Sequence, residues 1–374
     1  MNEQIKICHI TSAHKWNDIR IFVKECSSLA QNGFDVSLVV ANCESQTINN
    51  VKIIGVESVG KGRFFRMRKT SRAIYEKAKL LNADIYHFHD PELLPHGLRL
   101  KKAGKKVIYD AHEDLPRQIL SKYWINKYLR KIFSVVFERY ENRVAKKLDY
   151  VITATPHIRD RFLKINKNCI DINNFPLENE LSLPTNWSDK KNEVCYIGGI
   201  SQIRGNNELV DAMQQVKNTT MVMVGPFSTE EYGNLLKQKS GWANVNYQGI
   251  VDRKDVATIM SHARAGMVTF LPLPNHIDAQ PNKMFEYMSA GIPVIGSNFP
   301  LWKEIIEGNK CGICVDPTNP QSIANAIDYI MQNDALAEQM GKNGREAVMK
   351  KYNWSVEEKK LVEVYTKIMS KTKV

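Results

Sequence analysis

Asp278, Lys283 and Glu286 stand within one short run, residues 278–298, DAQPNKMFEYMSAGIPVIGSN. Its pattern predicts a loop entering a helix near Asn282, a helix stopping at Ala290-Gly291, and a short apolar strand over 293–295. Backbone N–H groups at the mouth of such a helix, on Asn282 and Lys283, carry partial positive charge from the aligned peptide dipoles, and the lysine adds a full charge. Together they suit a nucleotide diphosphate held without a divalent metal. One turn further, Glu286 is an acceptor-only carboxylate whose two oxygens fit two adjacent hydroxyls, such as a ribose 2′,3′-diol. Asp278, on the loop before the helix, could reach a sugar hydroxyl beside a reacting carbon. The competing reading is a buried helix, Met284-Phe285-Tyr287-Met288, whose Glu286 only meets solvent.

Upstream, Val194-Cys195-Tyr196-Ile197 reads as a compact strand running into GGISQIRGNNELVDAM, a glycine turn followed by a helix from about Asn207. Strand, glycine loop and helix is the arrangement that lets backbone approach phosphate closely. In this order the two segments resemble the signatures of the retaining family-4 glycosyltransferases of GT-B architecture, in the branch whose motif reads PNK-FEYM-GIPVI. Two departures stand out. The first acid of the acid-x7-acid signature is Asp278 where the family has Glu, and the loop usually written G-R-x4-K-G has Gly199 at the Arg position and Arg204 at the Lys position.

The resemblance implies that Glu286 binds the nucleotide ribose and Asp278 the donor sugar. It implies that Arg204 meets the diphosphate, with Lys283 supplying the missing cation, and that Gly198, Gly199, Asn282, Met284 and Phe285 complete the donor site. His112, in YDAHEDLP, matches the family histidine that positions the donor sugar. A UDP-sugar is the expected donor, with GDP-mannose next. The expected reaction retains anomeric configuration, the departing diphosphate itself taking the acceptor proton, with no cofactor and no metal.

The elements that must position these groups form a repeating α/β pattern. A strand over 5–10, a polar loop over 13–20, an amphipathic helix over 21–31 stopping at Gly33 and a strand over 36–40 make a βαβ opening. Later strands over 85–89, 107–111 and 151–154 carry His87, His89, Asp90, His112 and Glu113 at or near their carboxyl ends, where open parallel sheets collect ligands. His87 and His89 alternate onto one strand face, but no Cys or third His stands at ligand spacing, so hydrogen bonding is expected rather than metal. His14 and Arg20, in TSAHKWNDIRIF, and His89 are the acceptor-side candidates. Helices are expected over 321–332 and 334–350, and a last one begins in YNWSVEEKKLVEVYTKIM with Ser355 as N-cap and Trp354 at its start. The expected fold is α/β, with two doubly wound Rossmann-like domains facing across a cleft. Residues 1–172 would bind acceptor, residues 190–354 the nucleotide sugar, and residues 355–374 would form a helix packing back on the first domain. The proline-bearing stretch 172–191 reads as the linker.

Charge is unevenly divided. Residues 1–170 hold 31 Lys and Arg against 17 Asp and Glu, whereas residues 171–374 hold 21 against 23, within a total of +12. Two basic segments with interleaved apolar residues, 60–79 and 121–147, suit an anionic membrane surface. Equally, Trp124, Phe133 and Phe137 could face the core while the lysines face outward. No apolar run is long enough to span a bilayer and the start MNEQIKICHI has no signal pattern, so the expected place is cytoplasmic, peripheral at the inner face of the cell membrane. The acceptor would then be a glycan or lipid-linked saccharide of surface polysaccharide assembly. Seven cysteines fit reduced thiols, and Cys311-Gly-Ile-Cys314 reads as packed strand rather than a zinc or redox site. The alternatives are a GT-B 2-epimerase or phosphorylase, or a basic protein binding nucleic acid; no groove-reading module supports the last.

Overall fold

The computed structural model describes residues 4–57, 62, 66–122, 125–178 and 180–370. Trp124 and the start of the basic segment 60–79 therefore lie outside the described residues. The chain divides into two units, Met1–Asn174 with Val356–Val374, and Phe175–Ser355.

In the first unit, β1 (Lys6–Thr11), β2 (Asp35–Ala41), β3 (Gln46–Ile48), β4 (Val51–Val56), β5 (Ile85–Phe88), β6 (Lys106–Ala111), β7 (Tyr150–Thr153) and β8 (Cys169–Asp171) form one sheet in the order β3-β4-β2-β1-β5-β6-β7-β8. Only β3 with β4 is antiparallel. Strands β5 and β7 are buried along their whole length, as a parallel sheet covered on both faces requires. The strand order reverses at β1, which pairs with both β2 and β5, so the loops leaving β1 and β5 diverge and open a crevice at their carboxyl ends. The register sets His9 opposite His87.

The helix expected over 21–31 begins earlier, at Ile19, because Asp18 caps it: Oδ1 accepts from the Arg20 and Ile21 amides, at 2.9 Å each. It runs as π-helix over Ile19–Cys26 before continuing as α-helix over Ser27–Gln31. The wider turn changes which residues face inward, and Arg20, Lys24 and Glu25 are all buried. The last helix, Trp354–Ser370, starts one residue before the expected cap. Ser355 is inside it and donates its hydroxyl to Glu178. From Val356 onward this helix belongs to the first unit. There Glu357 Oε2 accepts the Asn173 amide at 2.9 Å, and Tyr365 is fully buried.

The stretch read as a linker is built into structure. The Ile172 carbonyl accepts from Arg20, Phe175 and Leu181 join the second unit's core, and Lys190 Nζ donates to the Ser261 and Ala263 carbonyls at 2.8 and 3.1 Å.

In the second unit, β9 (Glu193–Ile197), β10 (Thr220–Val224), β11 (Val245–Gly249), β12 (Ala265–Val268), β13 (Val294–Ser297) and β14 (Gly312–Val315) form a parallel sheet in the order β11-β10-β9-β12-β13-β14. The reversal falls between β9 and β12, so the loop after β9 and the loop leading to residue 281 part there. The helix after that second loop spans Asn282–Ser289. It is locked to both switch-point strands: the Tyr287 hydroxyl accepts the Ile197 amide at 2.9 Å, and its ring lies where a Cβ on Gly266 would be. Cys311 is buried just before β14, and both it and Cys314 are free thiols in a packed strand region.

Candidate functional site

Lys283 is the second residue of the Asn282–Ser289 helix, and its side chain runs inward beneath the glycine turn after β9. Nζ lies 3.7 Å from the centroid of the Tyr196 ring and 5.6 Å from that of Phe270, and has no hydrogen-bond partner among the described residues. Burial, reinforced by the neighbouring Arg204 guanidinium, holds its pKa well below that of free lysine. A Cβ on Gly198, whose φ is +118°, would stand 3.3 Å from this nitrogen. A side chain there would be strained and would cover the amine.

Arg204 closes the other side from the single turn Gln202–Arg204. Its Nη1 donates to the Gly199 carbonyl at 3.1 Å, and the guanidinium lies 5.5 Å from the Phe270 ring centre. A Cβ on Gly199 would come within 3.0 Å of Nη1. The fold thus gathers Gly198, Gly199, Arg204 and Lys283 at the switch point, along with the helix mouth at Asn282. A guanidinium beside a buried lysine that lacks an ion-pair partner among the described residues favours an anion carrying more than one negative charge.

The remaining donor-side residues sort differently. Met284 and Phe285 are fully buried in the core, so their side chains do not line the site as expected; the helix buries that face to pack on the sheet. Even the Met284 amide already donates to the Pro281 carbonyl at 3.0 Å. Glu286 accepts from Arg253 Nη1 at 2.9 Å, and Arg253 also donates to Glu180 at 2.7 Å. Asp278 lies on the loop before the helix, next to Ala279, whose carbonyl accepts the Trp302 indole N–H at 2.7 Å. Sequence reasoning missed Tyr196, Phe270 and Arg253, and also His276, whose Nδ1 pairs with the Leu271 carbonyl beside the Phe270 ring.

The first unit holds a second centre around Asp110, at the end of β6. Arg20 donates to both its oxygens, at 3.0 and 2.9 Å, and His112 Nε2 and His89 Nδ1 approach Oδ2 at 2.8 and 3.1 Å. Burial alone would favour the neutral acid, yet the Arg20 charge and the His112 ring hold Asp110 well below the usual carboxylate range. Burial and the neighbouring Asp110 carboxylate push Glu25 well above that range, although Arg20 Nε lies 3.2 Å from its Oε1. Arg20 and His89, expected on the acceptor side, are therefore interior groups that orient Asp110. The reason for Arg20 is the early helix start, which turns it inward.

His112 and His14 are the partly exposed members, with ring centres 5.1 Å apart. His14 Nδ1 meets Asp18 at 3.2 Å, and this bond raises its pKa. Asp90 accepts from Thr11 Oγ1 at 2.8 Å and from the Ser12 amide at 2.6 Å, fixing the loop that carries His14.

Behind Asp110 the imidazoles continue inward. His9 Nδ1 meets His89 Nε2 at 2.9 Å, and the Tyr365 hydroxyl bridges His9 Nε2 and His87 Nδ1 at 3.1 and 2.7 Å. Spacing along the chain concealed that His9 and Glu25 join His87 and His89, with ligand-capable atoms all within 4.8 Å of one another. That donor set is of the kind that suits zinc, but most of its ring nitrogens are committed to these hydrogen bonds, so an ion could enter only by breaking them.

Comparison with known proteins agrees with this architecture. The family described as Glycosyltransferase Family 4 matches residues 21–172, and the one described as Glycosyl transferases group 1 matches residues 178–347. An uncharacterised glycosyltransferase of Methanocaldococcus jannaschii is 27% identical over 181 residues, covering 47% of this chain and 45% of that protein. The chain spans about half the length of this and another curated relative it matches. Among solved structures, a sucrose-phosphate synthase from Thermosynechococcus elongatus superposes with a TM-score of 0.80 at 18% identity, over 98% of this chain and 100% of that one. Anabaena HepE in complex with UDP and glucose gives 0.74 at 14% identity, over 97% and 100%. The chain belongs to the family-4 glycosyltransferases, and its fold is GT-B.

Proposed function

We propose that this glycosyltransferase moves a sugar from a UDP-sugar to a glycan or lipid-linked saccharide acceptor, with retention of anomeric configuration. The observation that carries this reading is the enclosed, unpartnered Lys283 Nζ beneath Gly198, with Arg204 beside it. The diphosphate lies against Arg204, Lys283 and the Asn282 helix mouth, and Glu286 takes the ribose. Asp278 and His112 serve the transferred sugar. UDP as the carrier is supported by the family resemblance and by the UDP complex of HepE.

The acceptor hydroxyl attacks the anomeric carbon on the face from which UDP leaves. Its proton passes to the departing diphosphate, so no protein nucleophile is needed. Negative charge grows on the diphosphate as the glycosidic bond breaks, and the two cations and helix amides offset it. No divalent ion is required. Acceptor recognition belongs to the first unit, around His14 and His112. The basic balance of residues 1–170 supports a working position at the anionic inner face of a cell membrane, in surface polysaccharide assembly.

A thermal-shift panel of UDP, GDP, ADP and TDP, followed by transfer assays in EDTA with NMR of the product anomer, tests the reading. A shift with UDP, activity that survives EDTA and a product with the donor's configuration are expected. Inversion, or donor consumption that is complete without any acceptor, would refute it.

A further inference from the structure

The Lys127–Ala145 helix is amphipathic in an unusual sense. Its inner side packs on the unit in the ordinary way. Val144 and Ala145 enter the core, Phe137 packs against it, and the Ser134 hydroxyl donates to the Pro116 carbonyl. The outer side is also apolar. Tyr128 is 67% exposed, Val136 59% and Ile132 55%, and Leu129, Phe133 and Val135 are exposed with them. Phe133, which the sequence left free to face the core, points outward because the inward stripe runs through Ser134, Phe137 and Glu141. A solvated helix face carries mostly polar residues, and so many exposed apolar side chains on one side of a helix mark a surface that meets something apolar.

Charge on the same helix identifies what it meets. Both acids are held at the inner side in ion pairs, Glu138 with Arg117 at 2.6 Å and Glu141 with Arg161 at 2.7 Å. Lys127, Lys131, Arg139 and Arg143 are all exposed, and Lys146 and Lys147 follow them. The outward side therefore pairs apolar groups with cations alone. Aliphatic and aromatic groups that enter the acyl boundary, with long basic side chains reaching back to phosphates, match an anionic bilayer surface.

We propose that the outward face of the Lys127–Ala145 helix is the element that seats this enzyme in an anionic bilayer surface, parallel to the membrane plane. This rests on the peripheral placement proposed above and assigns it to Tyr128, Leu129, Ile132, Phe133 and Val136 rather than to the basic half at large. No helix among the described residues is long and apolar enough to cross a membrane, so the contact is interfacial.

The test is co-sedimentation of the full chain with phosphatidylcholine vesicles and with vesicles in which about a third of the lipid is phosphatidylglycerol. The wild type should pellet with the anionic vesicles only. Ile132→Asp/Val136→Asp and, separately, Lys131→Glu/Arg139→Glu should each lower partitioning by about tenfold or more. Leu80→Asp, at an exposed apolar residue on another helix, should not. The charge pair removes no apolar contact and keeps the test valid if the apolar pair fails to fold. Wild-type binding that both pairs leave intact would overturn the assignment to this helix while preserving peripheral placement. No wild-type binding to either vesicle would overturn both. A wild type that is dimeric without lipid, made monomeric by Ile132→Asp/Val136→Asp, would show that a second copy covers the face and would also overturn the assignment.

Discussion

Lys283 rests its amine on the face of Tyr196, 3.7 Å from the ring centre, with no hydrogen-bond partner among the described residues. A buried group of this kind destabilises the empty protein and becomes useful only when an anion arrives. Lys283→Met should therefore raise the melting temperature of the ligand-free enzyme, by about 1–3 kcal/mol of stability, while weakening UDP binding at least about tenfold. Differential scanning calorimetry with and without UDP checks both. A variant that lost stability and kept its affinity would contradict the assigned role.

The same amine links binding to pH. Its folded pKa is depressed, so above that pKa the empty site holds neutral lysine, and a bound diphosphate favours the ammonium. UDP binding should then take up a proton, and affinity should fall as pH rises. Titration calorimetry in buffers of different ionisation enthalpy measures this uptake directly. Lys283→Met should abolish it.

Arg253 holds Glu286 at 2.9 Å and is itself held by Glu180, which fixes the carboxylate proposed for the ribose. Glu286→Ala should weaken UDP binding by about tenfold or more, and Arg253→Ala by a smaller factor. Because Arg253 acts through Glu286, the double variant should be no worse than Glu286→Ala alone. Additive losses would show that Arg253 reaches the nucleotide by itself.

In the first unit, burial lowers the pKa of His9 and His87 well below normal and that of His89 to about 4. Since the unfolded chain binds protons at these rings below about 6.5, stability should fall as pH is lowered from about 6.5 toward 4. His96, lowered to about 4 by burial, adds to the loss, whereas Glu25, Glu141 and His14, whose pKa values are raised, work in the opposite sense. Melting curves from pH 7 to pH 5 should show the loss, and His89→Asn should flatten the slope. Asp110→Asn, which leaves Glu25 as the carboxyl group beside the buried Arg20 charge, should cost up to about 3–5 kcal/mol at neutral pH.

Much of the second unit's site is legible in the sequence because its parts are local. The helix from Asn282 to its stop at Gly291, the glycine turn after β9 and the cations at 204 and 283 all sit in strand, turn and helix patterns read from neighbouring residues. What escapes is packing. Nothing beside Lys283 in the chain announces that Tyr196 and Phe270 enclose it, or that Arg253 meets Glu286. The first unit's centre is harder still, since Tyr365 reaches His87 across 278 positions. One signal was available: Glu25 lies four positions after Ile21, on the apolar face of an amphipathic helix, where a carboxylate needs a partner. The π-helical turn that also buries Arg20 leaves no comparable sign, because a period of 3.6 assigns that residue to the loop.

A crystal structure of the full chain with UDP tests the central claim most directly. The account requires the diphosphate within hydrogen-bonding distance of Lys283 Nζ, the Arg204 guanidinium and the helix mouth at Asn282, with the ribose hydroxyls on Glu286. UDP seated elsewhere in the second unit, with Lys283 still enclosed and unpartnered beneath Gly198, would contradict it.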